Sequence, residues 1–361
     1  MTPISGLTMN RLQAIRPFGQ RIWLDNLSRE LIASGELARL LADDGIAGVT
    51  SNPAIFHKAI STDPRYREEL AQLKTDSSLD AEQRYEMLVI ADIRAACDLT
   101  LPQYQATNGD DGYVSLEVSP ALSRDEAGTL AAARRLWAAI DRPNAMIKIP
   151  ATAEGIAAFR QLTAEGINVN ITLLFSLRQV EAVWDAYIAG LTARHAAGQP
   201  LGHIKAVASF FLSRVDTLLD AQLPTELQGK VAVALSRVAY QRYLARFHGE
   251  EFAALHAAGA RPQFLLWAST GTKNKAYSDV LYVESLIGDE TVNTVPDATL
   301  ALFRDHGHAA ATLTQDAAAA ADTLAAAQAA GVDFDAIGEQ LQQDGLALFE
   351  KAFAELLQLT A

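Results

Sequence analysis

Lys148 lies in Ala145-Met146-Ile147-Lys148-Ile149-Pro150, an ammonium in the middle of a run that otherwise reads as a buried strand. Lysine is almost never fully buried unless it is paired or put to use. Desolvation favours the neutral amine, and a neutral amine is the nucleophile that makes a Schiff base with a carbonyl. A strand-end lysine reaching out to solvent is the ordinary alternative. What weighs against it is the set of polar side chains that fall inside or at the ends of other apolar runs: Asp25, Thr50, Asn52, Glu117, Asn170, Thr172, Ser209 and Ser269. An amine, two carboxylates, two amides and several hydroxyls around one cavity are the groups that imine-based sugar chemistry needs.

The elements that must position these groups read as eight strands. They fall at about 21–25, 48–52, 113–118, 145–150, 168–173, 204–210, 263–269 and 290–296. A (β/α)8 barrel uses about 31 residues per unit, and five of the seven start-to-start gaps fit one strand plus one helix. The two long gaps must hold extra helices. One, about 54–112, has helical patterns over 65–74 and from Asp80, the latter with Tyr85, Leu88, Val89, Ile93 and Ala96 on one face. The other fits helices near 212–221 and 225–258. After the last strand, about 297–361, the alanine-rich stretch 309–330 predicts a helix ending at Gly331, followed by a final helix from about Asp335. No Pro/Gly/Ser-rich linker divides the chain, so residues 1–361 are expected to form a single α/β domain, a (β/α)8 TIM barrel.

Strand residues alternate between the barrel interior and the helix layer. Alternation sends Asp25 with Trp23, Thr50 with Asn52, Ser115 with Glu117, Met146 with Lys148, Asn170 with Thr172, Ser209 with Phe211, and Trp267 with Ser269 inward. Most of these polar groups sit toward the C-terminal ends of their strands, the end where barrel active sites form. Each has an ordinary structural alternative. Asn52-Pro53 is a turn signal, Asp25-Asn26 could cap a helix, and Asn170 or Thr172 could be a satisfied core polar group.

The formal net charge of −13 argues against nucleic acid or an anionic membrane as partner, while leaving room for a small anion held by local cations. No apolar run is long enough to span a bilayer, and Met1–Leu7 lacks the pattern of a signal peptide, so a cytoplasmic protein is the simplest expectation. Cys97 is the only cysteine, and the seven histidines are scattered apart from the His306/His308 pair, so no metal or other cofactor is expected. The oligomeric state is not legible.

Three ordered stretches carry a family resemblance. Gly48-Val49-Thr50-Ser51-Asn52-Pro53-Ala54-Ile55-Phe56, Met146 to Ile156 around Lys148, and Asn168-Val169-Asn170-Ile171-Thr172-Leu173-Leu174-Phe175-Ser176 together resemble transaldolase, in its longer bacterial-type branch. The resemblance implies a transferase of the non-oxidative pentose phosphate pathway that moves a dihydroxyacetone unit between phosphorylated sugars. It implies Lys148 as the imine-forming lysine, Asp25 as the base for C3–C4 cleavage, and Glu117 with Thr172 as the proton shuttle. By the same likeness Asn52, Asn170 and Ser209 hold the substrate, Phe211 is a transaldolase-type residue, and Arg214 and Ser269 bind phosphate. One departure stands out: many relatives have an arginine two residues after the strand-7 serine, where this chain has Gly271. The second phosphate contact is assigned to Lys273, the alternative being an exposed turn carrying Lys273 and Lys275. Rival readings are a fructose 6-phosphate aldolase-like enzyme, whose relatives have glutamine and tyrosine in place of Glu117 and Phe211, and a non-catalytic sugar-phosphate-binding barrel. An aspartate phosphotransfer site at Asp25 lacks a second acidic residue two places on.

Overall fold

Eight parallel strands pair in sequence order and close on themselves: β1 (Gln20–Leu24), β2 (Gly48–Val49), β3 (Val114–Glu117), β4 (Ala145–Pro150), β5 (Val169–Leu174), β6 (Ala206–Phe211), β7 (Phe264–Ala268) and β8 (Thr291–Val295). The computed structural model describes residues 10–361, so the reading of Met1–Leu7 lies outside the described residues. Every expected strand is present, with β2 shorter than expected. The strands are buried on both faces, as a parallel sheet wrapped by helices requires.

Register fixes which side chains share a face. Glu117 pairs with Lys148, Lys148 with Asn170, and Pro150 with Thr172, so these point into the barrel together. Trp23 is paired with Gly48, and a Cβ at Gly48 would sit 2.7 Å from the indole, so only glycine fits under that ring. Strand β7 departs from the expected alternation. Ser209 pairs with Leu266 and Phe211 with Ala268, so Leu266 and Ala268 face inward. Trp267 pairs with Phe210 and stacks edge-on against it in the helix layer, so the inward placement expected for Trp267 is corrected. Ser269 still reaches the interior because its φ of 53° breaks the alternation just past the strand end. Leu173, with φ 64°, does the same on β5 and leaves the set of Val169 and Ile171.

The extra helices differ from expectation in three places. A helix, Pro53–Thr62, follows β2 directly, started by Asn52 as N-cap; the turn signal at Asn52-Pro53 concealed it. The expected single helix over 225–258 is two, Val231–Phe247 and Glu250–Ala257, broken at His248-Gly249. The alanine-rich helix begins only at Ala317 and runs to Ala329, because intrinsic propensity is weaker than the tertiary setting of 309–316. Helices Arg67–Leu73 and Ala81–Ala106, the latter opened by an Asp80/Gln83 capping box, match the patterns read there. The C-terminal helix, Phe334–Thr360, packs against Pro53–Thr62, Ala81–Ala106 and β5.

Candidate active site

The C-terminal mouth of the barrel holds a cavity of about 110 Å³. Eight of the expected site residues line it: Asp25, Asn52, Lys148, Thr172, Ser209, Phe211, Arg214 and Ser269. Glu117 lies against Lys148, with Nζ 3.4 Å from the carboxylate, and Nζ also donates to the Ser51 carbonyl at 3.2 Å. Asn170 sits beneath the cavity wall. It accepts from the Ser209 hydroxyl at 2.7 Å and donates to Ser115 Oγ at 3.2 Å, so it sets the Ser209 rotamer. Lys273 is not brought into this cavity; it is exposed on the loop after β7, in a hollow shared with Asn274 and Lys275. Its ammonium nevertheless folds back to 3.6 Å from where a side chain at Gly271 would begin.

Several positions serve both structure and cavity. Asn52 caps the Pro53–Thr62 helix through its Oδ1, which accepts from Ile55 N at 3.0 Å and leaves the amide NH2 for the cavity. The helix after β1 is capped by Ser28, not by Asp25 or Asn26. Asp25 instead accepts from Thr50 Oγ1 at 2.7 Å, and Thr50 shares a hydrogen bond with Thr294 of β8. Thr294, Ala268 and Phe349 also line the cavity and were not read as site residues. Thr294 had a signal, since β8 obeys the same alternation. Phe349 had none, because its spacing is that of an apolar helix face.

Electrostatics follow from burial. Desolvation pushes the Asp25 carboxyl above its ordinary value, against the pull of the Lys148 ammonium and the Thr50 hydroxyl. Glu117 is pushed up to about 7 by burial, with Lys148 pulling it down and Asp25 raising it. Such a carboxyl exchanges a proton readily near neutral pH, which suits a shuttle. Among the described residues, neither Glu117 oxygen nor the Thr172 hydroxyl has a hydrogen-bond partner, although all are buried. Buried polar atoms without a partner are few in native proteins, and these gather beside Lys148. Burial also lowers the Arg214 guanidinium from its usual range, and its Nη1 is buried with no partner among the described residues. Among the described residues no group of three or more His, Cys, Asp or Glu is gathered to hold a metal ion.

An amine facing a protonatable carboxylate, a second carboxylate across the cavity and a free guanidinium can form an imine and bind an anion. The transaldolase/fructose-6-phosphate aldolase family description matches residues 22–360. The chain belongs to that family. It is 53% identical to a transaldolase of Thiobacillus denitrificans and 55% identical to one of Neisseria gonorrhoeae, covering 97% of this chain and 99% of each relative. It is also 46% identical to transaldolase 1 of Streptomyces coelicolor, over 97% of this chain and 94% of that one. Family membership accounts for the barrel.

Proposed function

We propose that this enzyme transfers a dihydroxyacetone unit between phosphorylated sugars through a Schiff base on Lys148. The observation that carries the assignment is the buried Lys148–Glu117 contact at 3.4 Å inside the mouth cavity. Lys148 Nζ attacks the ketose carbonyl at C2. Glu117 and Thr172, whose polar atoms are free, pass the proton that turns the carbinolamine oxygen into departing water. The protonated imine is then the electron sink for C3–C4 cleavage. Asp25, oriented by Thr50, takes the C4 hydroxyl proton as that bond breaks, leaving an enamine on the lysine. Attack of the enamine carbon on an acceptor aldehyde forms the new bond, and hydrolysis of the imine returns Lys148. Asn52 and Ser209 hold the three-carbon unit, and Asn170 acts through the Ser209 hydroxyl that it orients. Arg214 and Ser269 bind the phosphate of the substrate, with Lys273 swinging in as a point-charge second contact in place of an arginine at Gly271. Residues 1–361 would act as one domain, in the cytoplasm.

Borohydride reduction with fructose 6-phosphate tests the assignment. A reduced three-carbon adduct is expected on the peptide bearing Lys148. An adduct on any other lysine of an active preparation overturns it. With erythrose 4-phosphate added, sedoheptulose 7-phosphate and glyceraldehyde 3-phosphate are expected; free dihydroxyacetone as the main product favours the aldolase reading.

A further inference from the structure

One wall of the catalytic cavity comes from no barrel strand. The C-terminal helix lays Gly338, Gln342, Gly345 and Phe349 along a single face, at the spacing that makes neighbours on a helix. Gly338 sits against Ser176, and Gly345 against Leu173, where an added Cβ would come within 2.9 Å of Leu173 Cδ2. Between them, Gln342 Nε2 donates to the Ala151 carbonyl at 2.9 Å and the Leu173 carbonyl at 3.1 Å. Those carbonyls lie just past Pro150 and Thr172, on the two strands that carry Lys148 and Thr172. One amide therefore ties the helix to both strands. Two turns on, Phe349 is buried against the cavity with its ring 5.6 Å from Lys148 Nζ.

We propose that Phe349, held in place by Gln342, decides whether the three-carbon adduct meets an aldehyde or water. The proposal rests on the Schiff base at Lys148. Loss to water begins when the enamine carbon C3 takes a proton from water, leaving hydroxide and an iminium. Water or hydroxide then adds at C2, and the C–N bond breaks with the amine leaving as Lys148 and its proton. The net change is adduct plus water giving dihydroxyacetone and free lysine. Transfer instead joins C3 to the aldehyde carbon, and water enters only afterwards at C2. The step that separates the two fates is protonation at C3. An aromatic ring that carries no acidic proton and fills the space beside the lysine suppresses it. Phe349 is thus a specificity-determining residue for acceptor against water, and Gln342 is a positioning residue.

The test measures free dihydroxyacetone against sedoheptulose 7-phosphate, with fructose 6-phosphate and erythrose 4-phosphate, in Phe349→Ala, Phe349→Leu, Gln342→Met and a control, Phe353→Leu. Phe353 is on the same helix but packs edge-on against Tyr85. Since excluding water from a reactive intermediate is worth a sizeable rate factor, the ratio is expected to rise about tenfold or more in F349A and by less in Q342M. It should return toward wild type in F349L and stay put in F353L. Deuterium from solvent should enter C3 of the released dihydroxyacetone at a matching rate. If F349A does not fold, Q342M carries the comparison against F353L, and an unchanged ratio in Q342M then overturns the proposal. Transfer and hydrolysis falling together in F349A, or a rise as large in F353L, also overturns it. The borohydride adduct on Lys148 is read in each variant: its absence in wild type defeats the Schiff-base reading itself, while its presence with an unchanged ratio defeats only the role of Phe349.

Discussion

Replacing Arg214 with methionine isolates the proposed phosphate end of the site. Arg214 is the second residue of the short helix Ser213–Leu219 after β6, and its guanidinium lies 5.4 Å from the Phe211 ring centre. Its Nη1 is buried and has no partner among the described residues, so at least one charge-assisted hydrogen bond is available to a ligand. Such a bond contributes about 1.5–3 kcal/mol, and its loss should lower kcat/KM for fructose 6-phosphate by about 10- to 150-fold. Fructose, which has the same reacting carbons and no phosphate, is the internal control. Its slow cleavage should change by less than about threefold, because the lost contact is to a remote group. Stability should hold or rise, since methionine removes a buried cation that burial already disfavours. Steady-state kinetics with both sugars and a urea titration of R214M decide it. Equal losses with fructose and fructose 6-phosphate would falsify the phosphate assignment and make Arg214 a support for the cavity. No loss with either would place the phosphate elsewhere.

Three further outcomes are expected. Glu117, raised to about 7 by burial, should give the pH profile of kcat/KM for adduct formation an inflection near that value. Glu117→Gln should abolish the inflection and slow adduct formation by about 10²–10⁴-fold, and an inflection that survives belongs to another group. Asp25 has a folded pKa above its unfolded one, so the native state binds its proton more tightly and stability falls as pH rises through that window. Asp25→Asn should therefore be more resistant to urea than wild type at pH 8, lose that advantage below the ordinary aspartate pKa, and fail to cleave; equal midpoints at pH 8 contradict the burial argument. Lys273→Met should raise KM for fructose 6-phosphate and leave fructose unaffected, whereas Lys275→Met should do neither; identical behaviour of the two makes the loop a solvated turn.

The barrel and most of the residues gathered at its mouth were legible because period-two alternation is a strong constraint in a parallel sheet. Lys148, Glu117, Asn170 and Thr172 share a face by register, as alternation required. Trp267 shows where the rule stops. Strand β7 ends one residue early and Ser269 turns left-handed, so Ser269 and Ala268 both reach the cavity although they are adjacent. A positive φ at a non-glycine residue leaves no mark in composition or periodicity. Phe349 escaped for a different reason. Its helix is amphipathic, and an apolar residue on such a face reads as core whether it covers another helix or an active site. Lys273 escaped placement because a loop's side-chain direction is set by its own turn, here Asn274 with Ala276, and not by a strand's pleat.

Two lysines among the described residues are buried inside this barrel, and the comparison between them identifies what makes a site. Lys205 is as deeply buried as Lys148, lies one residue before β6 at the opposite end, and is pulled down to about 8 by desolvation. A search for a depressed amine would stop there. Yet its Nζ stands 3.3 Å over the Phe264 ring and donates to Asp110 at 2.8 Å, and Arg21 joins the same carboxylate and the same ring. Every charge at that floor is engaged, and burial outweighed by Lys205 and Arg21 leaves Asp110 below its usual range. At the mouth the balance is different. Lys148 faces a carboxylate at 3.4 Å whose oxygens have no hydrogen-bond donor among the described residues, with Thr172 and Arg214 also unpartnered beside it. Folding pairs the charged groups at the floor and leaves Glu117, Thr172 and Arg214 at the mouth with atoms still free. On the proposed function, a substrate's carbonyl, hydroxyls and phosphate would complete those bonds, so the binding energy would be gained at the carbon to be attacked.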